Sequence, residues 1–262
     1  VYPSEALLRC LIHLSARGAY AESGLGALAD EGRRAPSPDT LFYRLERVDL
    51  PEALDAMNGA NAELLGHAPS GVPPAVAIDY TEEPYYGRRD SMVVRGKMKD
   101  GTTYFHTYAT VSTVGTDERA KLTLYALPVT QLSSKEKIVE RLVEEASSIL
   151  RARPSLLLMD RGFFTVEVLS MLQRTGMRFI VPAVANRRVK VIIEAHARGE
   201  LPPVVEYRMG GEDEGEGVDF HLVIARRRDA EDGDPPSRKY IAFATNVPFE
   251  DPEDLVRRIP EE

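Results

Sequence analysis

At 262 residues the chain can bury a substantial core, and its length allows one large domain or a large domain with a smaller companion. Hydrophobic content of 43% and charged content of 28% are ordinary for a globular protein, and no apolar stretch approaches the roughly 20 residues of a membrane span. The start of the sequence has no signal-peptide pattern, and the single cysteine, Cys10, excludes an internal disulfide framework and a cysteine zinc cluster, so a cytoplasmic protein is expected.

The net charge of −8 weighs against a nucleic-acid partner, but net charge hides distribution. Acidic residues concentrate in 212–216, 229–234 and the end of the sequence. Basic residues gather at Arg33-Arg34, Arg44 with Arg47, Arg88-Arg89, Arg187-Arg188 with Lys190, and Arg226-Arg227-Arg228. Each cluster alone reads first as a solvated face. Charge leaves nucleic-acid binding open.

Residues 1–70 read as a helical domain. Ser4 is placed to cap a helix with Leu7, Leu8, Leu11, Ile12 and Leu14 at helical spacing and Cys10 among them as a small core residue. A second short helix fits 25–30. Ser37-Pro38 then supplies an N-cap followed by proline in the first turn, where its missing N–H costs nothing. That third helix carries Leu41, Leu45 and Val48 on one side, with Arg44 and Arg47 near the other. A fourth runs from Pro51 to about Leu65, and 66–74 is a linker rich in glycine and proline. The arrangement is compatible with a helix-turn-helix DNA-binding domain, with Arg44 and Arg47 as candidate DNA contacts.

From 75 to 262 the pattern is that of an α/β domain. The run Ala75-Val76-Ala77-Ile78-Asp79 reads as a strand buried on both faces and ending in a carboxylate. Strands follow at 92–97, 104–113 and 121–129, the first two joined by the hairpin turn Lys99-Asp100-Gly101. Ser134 caps a helix with Ile138, Leu142, Val143 and Ile149 on its stripe. Next come the strand Ser155-Leu156-Leu157-Leu158-Met159-Asp160, a helix bearing Val166, Leu169 and Leu172 that ends at Gly176, and the strand Phe179-Ile180-Val181. After an antiparallel meander, a helical crossover returns the next strand in parallel, beside the first. Asp79 and Asp160 are then expected at the tips of adjacent strands about 4.8 Å apart. Beyond Pro182, a basic helix at 188–198 and strands at 204–208, 219–228 and 239–245 read as a strand-rich insertion, about 186–240, or an extension of the sheet. A last short helix fits 252–258.

Open α/β sheets place their chemistry at the ends of the strands. Two converging carboxylates suit hard divalent cations, which demand oxygen ligands. Phosphodiester cleavage and transfer can use two Mg²⁺ or Mn²⁺ ions about 4 Å apart to serve the attacking and leaving oxygens together. Asp79 and Asp160 are therefore the candidate metal-binding and catalytic residues.

These residues also carry a resemblance. Ala77-Ile78-Asp79-Tyr80-Thr81 with Pro84-Tyr85-Tyr86-Gly87, Leu158-Met159-Asp160-Arg161-Gly162-Phe163-Phe164, Phe179-Ile180-Val181-Pro182-Ala183 and Ala244-Thr245-Asn246 are similar to segments of the DDE transposases of prokaryotic insertion sequences. The likeness is greatest to archaeal members of the insertion-sequence-four group, and it covers roughly 76–248. It implies a ribonuclease-H-like fold, Mg²⁺ or Mn²⁺, and cut-and-paste movement of DNA, with Asp79 and Asp160 as the first two acids of the triad. It also implies terminal inverted repeats as the DNA partner, bound in part by the helical segment, and a dimer acting on paired ends.

The family's third acid is a glutamate on a helix shortly after the Thr-Asn strand, in a Tyr…Arg…Glu pattern that includes a tryptophan. This sequence has no tryptophan and stops near where that helix is due, and Glu253, Glu261 and Glu262 do not stand in the pattern. The expectation is weak or absent strand transfer by this chain, with a non-catalytic DNA-binding regulator or another ribonuclease-H-like nuclease as alternatives. Among the neighbours, Arg161 reads as a holder of its loop or a phosphate contact, and Glu82 and Glu83 as surface charges near the rim. Tyr85 and Tyr86 read as loop packing or base stacking, and His106 and His221 as ordinary strand residues. Asn246 either orients backbone near the site or starts the turn before Pro248.

Overall fold

The computed structural model describes residues 2–65, 75–114, 122–210 and 217–249, and the chain divides into two units, Val1–Met57 and Asn58–Glu262. The linker 66–74, the acidic loop 212–216 and the helix expected at 252–258 fall wholly or mainly outside the described residues. None of the described helices is long and apolar enough to cross a membrane.

The first unit contains α1 (Ser4–Arg17), α2 (Ala21–Asp30) and α3 (Pro38–Leu45), and α4 (Leu50–Leu65) runs across the division. Cys10, Ala21, Leu25, Leu28 and Leu41 form its buried cluster, with Leu7, Leu11, Leu14 and Leu45 packed against it. Leu8 and Ile12, expected on the same stripe, are 55% and 59% exposed. They lie off the 7-10-11-14 face that meets the cluster. Ser4 is not a cap: Pro3 occupies that position, and its carbonyl accepts from the N–H of Ala6 and of Leu7. At α3 the expected cap is present, with the Ser37 hydroxyl accepting from the Thr40 N–H at 3.3 Å and Pro38 in the first turn. That helix ends at Leu45, so Val48 stands beyond it and is exposed rather than buried on its face.

The second unit is built on one mixed sheet. Its strands are β1 (Ala75–Pro84), β2 (Val94–Lys99), β3 (Thr102–Val114), β4 (Thr123–Val129), β5 (Leu156–Met159), β6 (Phe179–Pro182), β7 (Val204–Met209), β8 (Val218–Arg226) and β9 (Tyr240–Thr245). They lie in the order β2-β3-β1-β5-β6-β9-β8-β7, with β4 also paired to β3. The turn joining β2 to β3 has Asp100 and Gly101 both at positive φ (52° and 80°), and Lys99 pairs directly with Thr102. Two consecutive residues at positive φ match the right-handed twist of the flanking strands.

Between β4 and β5 the helix α5 (Lys135–Leu150) carries the chain back, and β5 lies parallel to β1, with Ala75 opposite Leu156 and Ile78 opposite Met159. Ser134 holds the N-cap position of α5, but its hydroxyl makes no capping bond; only its carbonyl serves, accepting from Ile138. Next, α6 (Val166–Arg174) leads to β6, parallel to β5. All four residues of β6 are buried, as a central strand of such a sheet requires. The region read as a strand-rich insertion belongs to this same sheet. β9 takes the open edge of β6 antiparallel (Ile180 opposite Thr245), and β8 and β7 continue outward from it.

The buried side chains of α5, α6 and α7 (Arg187–Ala197) that join a core cluster share a single one, with Val76, Ile78, Leu157, Met159 and Phe179 of the sheet. Ile180, Val223, Ile241, Phe243 and Val247 form a second cluster, against which Leu156 and Leu158 pack. The latter half of α4 belongs to the sheet unit: Asn58 donates to the Ala126 carbonyl (2.9 Å) and accepts from the Ala126 N–H (3.1 Å). These bonds satisfy a buried amide against the backbone of β4.

Asn246 makes a comparable clamp. Its Oδ1 accepts from the Phe179 N–H (3.0 Å) and its Nδ2 donates to the Met177 carbonyl (2.8 Å). Phe179 opens β6, so Asn246 stands at the end of the sheet opposite Asp160 and does not orient backbone near the aspartates. Asn246→Ala would orphan a strand N–H and a carbonyl, and it is expected to cost about 1–3 kcal/mol in urea unfolding. A change below a few tenths would refute that role.

Candidate metal centre at the strand ends

The parallel pairing of β1 with β5 stops at Ile78 and Met159. One step further on each strand stand Asp79 and Asp160. Asp160 ends its strand as expected and caps a single 3₁₀ turn, Arg161–Phe163, its carboxylate accepting from the Arg161 N–H. Asp79 does not end its strand. β1 continues to Pro84 because β3 runs alongside it the whole way, pairing Asp79 with Thr110 and Pro84 with Phe105. The rim at Asp79 exists only on the β5 side, where the parallel partner has stopped.

Alternation sets the faces. Val76, Ile78 and Tyr80 join the helix-covered cluster, as do Leu157 and Met159 on the neighbouring strand. Ala77 and Asp79, with Leu158 and Asp160, therefore project from the other face. Both aspartates are exposed and line one open cleft of about 350 Å³, floored by Leu158, Ile180 and Phe243. The Oδ1 of Asp79 accepts from the Tyr80 N–H at 2.8 Å. Two carboxylates sharing a cleft repel each other, and a cation between them relieves that repulsion.

The turn after Asp160 is held from two sides. Lys135 Nζ donates to the Gly162 carbonyl at 2.7 Å. Phe163, fully buried, stacks on Tyr80 with ring centroids 4.6 Å apart and planes at 24°. Tyr80 follows Asp79 and Phe163 lies three residues beyond Asp160, so the stack ties together the two backbones that carry the carboxylates. Arg161 does not hold this loop: its exposed guanidinium has no partner among the described residues.

Burial pushes the Tyr80 hydroxyl up to about 12 from its ordinary 10.0. The folded protein thus keeps a proton that the unfolded chain releases, so this contribution to stability is complete below pH 10 and is lost as pH rises from 10 to 12. Tyr80→Phe is expected to lose less stability across that window than the parent. Parallel urea midpoints for the two proteins would contradict the assignment.

Glu82 turns toward Gly96 on the face opposite Asp79, while Glu83 shares the face of Asp79; both are exposed. Tyr85 donates to the Arg88 carbonyl and Tyr86 to the Asp100 carbonyl, so both pack their loop. His106 packs on Tyr85, and His221 on Phe249. In the helical unit Arg44 is exposed, and Arg47 lies over the Tyr43 ring at 4.1 Å and donates to its hydroxyl.

The described residues contain no group of three or more His, Cys, Asp or Glu able to hold a metal ion. Glu253, Glu261 and Glu262 lie outside the described residues. The donor set of Asp79 and Asp160 nevertheless fits a hard divalent ion, since Mg²⁺ is commonly bound through one or two carboxylates, with waters and substrate phosphate filling its shell. Sequence reasoning missed the Tyr80–Phe163 stack and the Lys135 contact. Both aromatic residues stand in the quoted motifs, but no spacing rule pairs residues so far apart.

No curated protein matches the chain. Among solved structures it is similar to a piggyBac transposase in a synaptic complex with hairpin DNA, at 14% identity and a TM-score of 0.42. The similarity covers 68% of this chain and 34% of that one, so the chain spans about a third of that protein's length. The mixed sheet with flanking helices is the α/β arrangement expected from the sequence. A family profile described as the transposase DDE domain matches residues 71–251, which include both aspartates and all nine strands, and the chain belongs to that family.

Proposed function

We propose that this chain carries the metal-dependent catalytic core of a DNA transposase of the insertion-sequence-four type, with Asp79 and Asp160 as metal ligands. The observation that supports this most directly is their position one step past the last paired residues of two adjacent parallel strands, on one cleft. Bound there, Mg²⁺ or Mn²⁺ would polarise a phosphodiester and activate the attacking oxygen. The carboxylates bind and orient; the Tyr80–Phe163 stack and Lys135 keep their separation fixed. The DNA partner is a terminal inverted repeat of a mobile element, contacted in part by Arg44 and Arg47, and the acting form is a dimer on paired ends in the cytoplasm.

The test is strand cleavage at a matched terminal repeat with Mn²⁺ or Mg²⁺. Nicking at the repeat end that requires metal and both aspartates supports the proposal. A second reading is favoured by the absence of a third metal-binding acid among the described residues. In it the chain binds DNA without cutting it. DNA binding indifferent to metal and to both aspartates would select that reading, and metal-dependent cutting without end preference or joining would point instead to another ribonuclease-H-like nuclease.

A further inference from the structure

We propose that a second cleft on the same rim, walled by Arg161, Lys190 and Arg227, is a phosphate site that seats a backbone phosphate of the DNA strand held at the aspartates. The proposal rests on the transposase reading and adds an anchor point to it.

The topology brings these three cations together. Arg161 follows Asp160 at the C-terminal end of β5, and Lys190 lies in the first turn of α7, just past the end of the parallel strand β6. Arg227 follows β8, its N–H bonded to the Lys239 carbonyl beside the first residue of the antiparallel β9. All three stand at one end of the sheet and line one cleft of about 170 Å³. Ser237 and Tyr240 also line it, as does one acidic residue, Glu194. Three positive charges face one negative charge.

Some basic residues of this region are satisfied within the protein: Arg226 pairs with Asp232 and Arg198 with Glu200. Arg161, Lys190 and Arg227 have no side-chain hydrogen bond or ion pair among the described residues. Arg227 is moreover half-buried, and its side chain has no acceptor among the described residues. An oxyanion would supply one through charge-assisted hydrogen bonds, and guanidinium geometry matches phosphate oxygens. In a chain of net charge −8, a cleft with three cations against one carboxylate, beginning one residue from Asp160, fits a ligand of opposite sign that passes over the rim from the side of α7 to the side of the aspartates. A DNA strand, with phosphates at regular intervals, has that form.

The experiment titrates a short fluorescent DNA duplex with the full chain in EDTA at several salt concentrations. Lys190→Ala and Arg227→Ala are each expected to weaken binding about tenfold, as loss of a charge-assisted bond implies. Each should also reduce the slope of log K against log salt by about 0.9, one phosphate contact. Glu194→Gln, which removes the opposing charge, should tighten binding, whereas Lys137→Ala, on α5 outside the cleft, should change nothing. Thermal midpoints equal to the parent's exclude unfolding as the cause. Unchanged affinities and slopes in both cleft variants overturn the proposal. A cleft-dependent affinity for inorganic phosphate with unaltered DNA slopes also overturns it, assigning the cleft to a free phosphate. Failure of the metal-centre reading would appear instead as metal-dependent nicking that survives Asp79→Asn, which the metal-free salt slopes do not report.

Discussion

Replacing Asp160 with asparagine is expected to weaken Mn²⁺ binding by at least about 100-fold, and Asp79→Asn by a similar factor. Disturbing even the hydrogen-bond partners of metal ligands commonly costs 10–100-fold, and these substitutions remove an anionic oxygen itself. Asparagine preserves shape and can still accept from the Arg161 N–H or the Tyr80 N–H, the bonds that orient the two carboxylates. The fold should therefore survive, with the loss confined to the ion. Electron paramagnetic resonance of free Mn²⁺ reads affinity directly, and anomalous density from Mn²⁺-soaked crystals reads position. Unchanged affinity in both variants would remove Asp79 and Asp160 from the metal assignment. Any metal-dependent nicking should fall with the affinity.

Phe163→Ala should destabilise the sheet unit by about 3–5 kcal/mol, the usual cost of deleting a fully buried phenylalanine ring. Such a loss is a large fraction of the roughly 5–15 kcal/mol that holds a domain folded. Phe163 is 0% exposed within the helix-covered core, and the Tyr80 stack adds about 0.5–1.5 kcal/mol to its burial. The ring also fixes the turn that presents Asp160. Phe163→Leu should recover much of the stability, because it refills most of the volume, but it leaves Tyr80 without a stacking partner. Its Mn²⁺ affinity is then expected to remain below that of the parent protein. Urea unfolding with an unchanged slope gives the first quantity. A loss under about 1 kcal/mol for Phe163→Ala would mean that the site collapses without cost.

Much of the architecture was legible in the order of residues. Short apolar runs marked β1, β5 and β6, and the Lys99-Asp100-Gly101 turn marked a hairpin whose two positive φ values the structure displays. The crossover rule placed β5 beside β1, and the observed register does the same. Local rules failed where several residues satisfied them equally well. Ser4 and Ser134 had the side chain of a cap, yet Pro3 and a backbone carbonyl supply the bonds instead. Asn246 lay in a motif with the site residues but folds to the far end of the sheet, because its amide matches the unpaired backbone where β6 begins.

The two aspartates, the short buried strands that carry them and the strand order that makes those strands neighbours can all be read from the order of residues. All three depend on side-chain polarity and connectivity, which are written along the chain. That β1 runs on past Asp79, that Tyr80 and Phe163 lock the two strand ends, and that Arg161, Lys190 and Arg227 meet in one cleft emerges only once the chain is folded. Those features arise from pairings between distant segments, whose energies depend on which surfaces come into contact, and no local pattern encodes that choice.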